Sequence, residues 1–243
     1  MAHVKFANWA TGFSGCDGGD IGSPQRKGIW FCGIEWGGGH PPDENELTNT
    51  VFSKEVKLPP EGFLEWQENL AYRFNWQAMK LLSSLNGGLV SSYKEFAESM
   101  QPFTNNTKGY FKMNLYPLAF KNTSHELWKS GFAKATGLEN KQDYLTWTRA
   151  HRFPIMRKWT ETYSPKLIIC VGKSYIADFA LAFADELAFK AEVIDDRELS
   201  WAVNKNGTMV VILPFMLNRN GLTKNISIQK FGDRIRELML SHP

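Results

Sequence analysis

Three short segments of the 243-residue chain carry side chains suited to polar chemistry. Gly33-Ile34-Glu35-Trp36-Gly37 sets a carboxylate just past one apolar run, Asn114 closes a second, and Pro214-Phe215-Met216-Leu217-Asn218-Arg219-Asn220-Gly221 follows a third. A carboxylate can take up a proton or steady a developing positive charge, and an amide can pair with the polar edge of a flat ligand. Each has a plainer reading as well. Glu35 in a glycine-rich loop can cap a helix or pair with a lysine, and Asn114 can form the turn that ends a strand. His40 with Asp43 and Glu44 reads as a chance polar cluster, so neither a metal nor another cofactor is expected. Gly15-Cys16-Asp17-Gly18-Gly19 lacks the strand, the helix and the lysine of a phosphate-binding loop.

Regular elements must hold these residues in place. The apolar runs at residues 28–33, 110–115 and 165–172 predict buried strands, and residues 201–214 predict a hairpin about Asn206-Gly207 with 209–213 as its inner strand. Phe63, Trp66, Leu70, Phe74, Ala78 and Leu82 recur at helical spacing and predict one amphipathic helix ending before Gly87-Gly88. Further helices are expected over 93–100, within 124–162 with a break near Pro154, after Gly172, and over 225–240. Residues 16–24 and 35–60 read as loops, the second because of Gly37-Gly38-Gly39, Pro41-Pro42 and Pro59-Pro60. Strands alternating with helices predict an α/β fold in one domain over residues 1–243. The expected form is a three-layer α/β/α sandwich with a central, largely parallel four-stranded sheet plus a C-terminal β-hairpin. Ligands collect at the carboxyl ends of such strands, which selects residues 35–40, 114–117, 172–175 and 215–221.

With 43% hydrophobic and 22% charged residues the chain can bury a core, and a net charge of +3 excludes a polycation held to nucleic acid by bulk charge alone. Residues 204–243 nonetheless hold Lys205, Arg219, Lys224, Lys230, Arg234 and Arg236 against only Asp233 and Glu237, which places positive charge beside the late segment. The aromatic fraction is 14%, enough to supply both core volume and stacking surfaces. Cys16, Cys32 and Cys170 have neither the number nor the spacing of a disulfide framework or a metal clip. No apolar leader marks the first ten residues and no run of about 18 apolar residues occurs, so no membrane partner is expected and the cytoplasm is the expected location.

The ordered set Glu35, Asn114 and residues 214–221 resembles the uracil-DNA glycosylase superfamily, from about residue 28 to residue 240. That family has a strand followed by glycine, any residue, then Asp, Asn or a substitute. A base-reading Asn comes at a second strand end, and a His-Pro-Ser type loop comes late in the chain. The resemblance implies that Glu35 orients water or stabilises the sugar cation, that Asn114 reads the base, and that Arg219 and Asn220 contact the backbone or the gap left by a flipped base. Phe215 stands at the family's His, and Trp36 replaces its Pro. Trp36, Gly37, His40, Phe52, Phe215 and Asn218 join the expected binding residues, with Phe52 the first choice of stacking ring and Trp36 and His40 the alternatives. Taken alone, Phe52 also reads as core. The implied partner is nucleic acid, DNA rather than RNA, or a ligand containing a nucleobase. The implied activity is hydrolysis of an N-glycosidic bond, as in DNA repair. The alternative is a module of the same fold that keeps the pocket without the chemistry, which the ring at Phe215 favours because it cannot donate a hydrogen bond to a departing base.

Overall fold

The computed structural model describes residues 1–185 and 188–242. Its centre is one seven-stranded sheet made of β1 (Gly18–Gly19), β2 (Ile29–Gly33), β3 (Tyr110–Asn114), β4 (Leu167–Val171), β5 (Lys190–Ile194), β6 (Arg197–Val203) and β7 (Met209–Leu213), in the order β1-β3-β2-β4-β7-β6-β5. The four inner strands β3, β2, β4 and β7 run parallel, while β1, β6 and β5 join antiparallel at the edges. The fold is α/β, but the expected four-stranded central sheet plus hairpin is corrected to one sheet of seven strands. β6 and β7 are paired across Asn206-Gly207, and β7 also lies beside β4, so the hairpin is built into the sheet. The unforeseen strands carry little apolar signal: β1 is two glycines, and β5 is an edge strand whose side chains are largely solvated.

Alternation along the inner strands divides the apolar residues between two faces, as the strand period of two requires. Trp30, Cys32, Phe111, Met113, Ile168, Cys170, Val210 and Ile212 enter one core. That core also takes residues from α1 (Val4–Ala10), α6 (Ser130–Thr136), α7 (Lys141–His151), α8 (Phe153–Tyr163) and α9 (Ile176–Phe183). Ile29, Phe31, Tyr110, Leu167, Ile169, Val171, Val211 and Leu213 face the other core, covered by α4 (Arg73–Leu85), α5 (Tyr93–Met100) and α10 (Asn225–Ser241). Helices therefore cover both faces. Two short helices, α2 (Glu44–Glu46) and α3 (Trp66–Asn69), lie in the connections between β2 and α4.

The single helix expected across residues 63–82 is two, α3 and α4. Asn69, the last residue of α3, is buried. Its Nδ2 donates to the Pro102 carbonyl at 2.7 Å, and its own carbonyl and Oδ1 both accept from Asn75 Nδ2. These bonds hold the break, while Phe63 and Trp66 still reach the core from outside α4. The expected loop over 35–60 contains α2, capped by Asp43 Oδ1 accepting from the Glu46 N–H, and a π-helical turn over Leu47–Val51 that buries Leu47 and Val51. No described helix is long and apolar enough to cross a membrane.

Candidate functional site

The chain passes from β2 outward to β3, then returns across β2 to β4 and β7, so the order of the parallel strands reverses between β2 and β4. Loops diverge at such a reversal and leave a crevice at the carboxyl ends of the strands. A cleft of about 1250 Å³ opens there. Gly33, Glu35 and Trp36 line it from the end of β2, Asn114 from β3, Gly172 and Tyr175 from the turn after β4, and Pro214, Phe215, Asn218 and Asn220 from the loop after β7. The start of α4 supplies another wall through Tyr72, Arg73, Phe74 and Asn75.

Period-two alternation puts Lys112 and Asn114 on the same face of β3, and both reach the cleft. Asn114 is the register partner of Gly33, and its Nδ2 donates to the Gly15 carbonyl at 3.0 Å. A Cβ on Gly33 would lie 2.4 Å from Asn114 Oδ1, so the amide occupies space that only glycine leaves. Lys112 pairs with Asp17 at 3.3 Å, and the same Asp17 oxygen accepts from Trp36 Nε1 at 3.0 Å. The indole N–H is thus tied to the Asp17–Lys112 pair that lines the cleft.

Glu35 follows β2 directly, and its side chain is 6% exposed. Lys141 Nζ, at the first residue of α7, donates to Glu35 Oε2 at 3.4 Å, whereas Oε1 is buried with no hydrogen-bond partner among the described residues. Burial pushes the Glu35 carboxyl up to about 7, and the Lys141 ammonium pulls it back part of the way. The same burial lowers Lys141, against the raising effect of Glu35. A carboxyl poised near neutrality beside a cleft is suited to exchanging a proton.

Aromatic rings supply much of the apolar lining. The Phe74 and Phe215 ring centres lie 6.1 Å apart with planes tilted by 30°, and Trp36, Phe63, Tyr72, Phe120 and Tyr175 complete the set. Phe215 belongs to a tight loop closed by the Leu222 N–H donating to the Phe215 carbonyl, and a Cβ on Gly221 would sit 1.8 Å from that oxygen. Arg73, Lys121 and Lys173, all exposed, stand at the edge of the cleft.

The expected residues do not all meet. Glu35, Asn114, Trp36, Gly37, Phe215, Asn218 and Asn220 line the cleft, whereas Arg219 is exposed and outside its lining. Phe52 is not a stacking ring at the site: it is packed in the core against Phe6 and Trp9, with ring centres 5.3 and 5.0 Å away. His40 also lies outside the cleft lining, its Nδ1 accepting from the Ala119 N–H and its backbone N–H donating to the Ala119 carbonyl. The positive charge expected near the late loop is largely neutralised, since Lys205, Lys230, Arg234 and Arg236 all pair with carboxylates. The described residues contain no cluster of His, Cys, Asp and Glu able to hold a metal.

Several site residues had no expectation attached to them. Lys112 stands inside a buried apolar strand, a position lysine takes only when paired, and that is a readable signal. Lys141 and Arg152 give none. Arg152 is fully buried and donates to the carbonyls of Ala10, Gly12, Ser14, Asn114 and Leu115, fixing the segment behind Asn114. A scan of the chain against protein-family models finds no matching family, and a search of curated proteins finds no match.

Proposed function

We propose that the chain binds nucleic acid, takes one extruded nucleotide into the cleft between β2 and β4, and hydrolyses its N-glycosidic bond, as the resemblance to the uracil-DNA glycosylase superfamily implies. The observation that carries this reading is Glu35: a carboxyl poised near neutrality in the same cleft as Asn114, with one oxygen tied to Lys141 and the other without a partner among the described residues. Cleavage of the bond sends its electron pair to the base and leaves positive charge on the sugar. Ionised Glu35 offsets that charge and takes a proton from the water whose oxygen bonds to the anomeric carbon. Asn114 pairs with the base edge, and the Phe74 and Phe215 rings offer the apolar faces that an unstacked base requires. Arg73 and Lys121 are placed for phosphates at the entrance, beside Lys173, which is paired with Glu198.

A second reading rests on Phe215. The ring occupies the cleft where the resemblance places a hydrogen-bond donor, which favours a module that holds a nucleobase without cleaving it. Incubation with single- and double-stranded oligonucleotides carrying uracil, hypoxanthine or other altered bases, followed by alkali, separates the two. Breaks that vanish in Glu35→Ala support hydrolysis, salt-dependent binding without breaks supports the module, and no binding at low salt removes both.

A further inference from the structure

Lys141 is almost closed off from water, its side chain 1% exposed. A buried ammonium loses hydration that only close partners can offset. Its partners among the described residues both belong to the cleft: Glu35 Oε2 at 3.4 Å and the Phe120 ring, whose centre lies 4.0 Å from Nζ. Lys141 does not line the cleft itself, so it acts on the site through those two residues.

The fold offers no separate reason for a cation there. α7 is already capped by Asn140, whose Oδ1 accepts from the Asp143 N–H at 2.9 Å. A positive charge in the first turn of a helix is opposed by the helix dipole. Tyr144 and Leu145 anchor α7 in the core by apolar burial. What Lys141 does achieve is to make the two Glu35 oxygens unequal, since Oε2 is engaged and Oε1 has no partner among the described residues.

We propose that Lys141 is a positioning residue, which fixes the Glu35 carboxylate at the cleft wall through its contact with Oε2. The inference rests on the reading of Glu35 as the carboxylate of the cleft. Lys141 also sets the pH range in which Glu35 is ionised, because burial alone favours the protonated form and the ammonium opposes it. The other titratable groups facing Glu35 are Tyr144 on α7 and Tyr175 after β4, both held neutral by burial. Lys112 with Asp17, and Lys121 and Lys173, line the rest of the cleft. Among the described residues Lys141 is the cation that contacts the carboxylate.

The test is the titration of the Glu35 side-chain carboxyl by ¹³C NMR in the full chain, assigned with Glu35→Gln, for the native protein, Lys141→Met and Lys141→Arg. Loss of the cation is expected to raise the midpoint by one pH unit or more, about a tenfold change in proton affinity, and Lys141→Arg is expected to keep it close to native. The pH profile of base release from an altered-base oligonucleotide should move in the same direction. If Lys141→Met does not fold, Lys141→Gln, which keeps a donor but no charge, carries the same expectation. A midpoint unchanged in Lys141→Met or Lys141→Gln overturns the proposal. If the midpoint moves while the native protein releases no base from any oligonucleotide, the positioning role stands and the hydrolytic reading fails.

Discussion

Asn114 Oδ1 lies where a Cβ on Gly33 would be, 2.4 Å from its ideal position, although the two residues end different strands. The parallel register of β2 and β3 makes them neighbours, and the Asn114 Nδ2 bond to the Gly15 carbonyl turns the amide over the glycine. A methyl group at Gly33 must displace the amide. Gly33→Ala is therefore expected to weaken binding of the nucleobase ligand tenfold or more, about 1.4 kcal/mol, while unfolding cooperatively like the native protein. Unchanged affinity by titration calorimetry would remove Asn114 from the recognition surface.

The Glu35–Lys141 pair predicts an asymmetric double-mutant cycle. Glu35→Gln leaves Lys141 buried without its counter-charge and should cost about 3–5 kcal/mol at pH 7, while Lys141→Met should cost less, because the Glu35 carboxyl, already raised to about 7, then protonates. Removing both should cost less than the sum of the two. Urea unfolding of the four proteins measures this, and additive losses would show that the two groups do not interact.

The pH dependence of the same carboxyl has a definite sign. Its pKa in the folded protein is raised from 4.5 to about 7, so the protonated form is the one the fold favours. Its contribution to stability is present in full below pH 4.5 and is lost as pH rises through about 7. Relative to the Glu35→Gln/Lys141→Met double variant, the native protein should lose thermal stability across that interval. Activity that requires ionised Glu35 should rise over the same interval, and a profile flat from pH 5 to pH 8 would contradict a role for this group.

How much of this arrangement was legible in the sequence depends on how local each signal is. β2, β3, β4 and β7 are continuous buried runs, and the reversal of strand order brings Glu35, Asn114 and the Phe215 loop to one place through loops the sequence already marked. Gly18–Gly19 has no side chains to pattern, and the solvated edge strand β5 follows no apolar rhythm. Phe52 was ambiguous for a related reason: a ring in a loop packs equally well against a ligand or against Phe6 and Trp9, and only the tertiary fold decides. Lys141 is 106 residues from Glu35, so nothing near either residue announces their contact. The basic tail misled because counting charges along the chain ignores carboxylates brought from elsewhere, such as Glu192 beside Arg234 and Asp195 beside Lys230.

That redistribution of charge makes a prediction about salt. Arg73→Ala and Lys121→Ala should each reduce the slope of log affinity against log salt concentration by about 1 for oligonucleotide binding. Lys173→Ala, Lys230→Ala and Arg234→Ala, whose charges are already paired, should leave the slope near native. Fluorescence anisotropy at several salt concentrations reads the slopes, and the reverse pattern would move the interface to α10.

Arg152 is predicted to carry the segment behind the cleft. Arg152→Met leaves several buried carbonyls without their donor, each costing about 1–3 kcal/mol, so a loss above about 4 kcal/mol is expected by urea unfolding. A loss below about 1 kcal/mol would mean that these carbonyls find other partners.

We propose that Glu35 drives hydrolysis of an N-glycosidic bond in this cleft. Single-turnover release of free base from oligonucleotides carrying altered bases, quantified by chromatography for the native protein and Glu35→Gln, tests it most directly. The predicted result is free base released by the native protein, a rate at least about 100-fold lower in Glu35→Gln, and similar oligonucleotide affinity for both. Release at equal rates from the two proteins, or none from any substrate with the native protein, would contradict it.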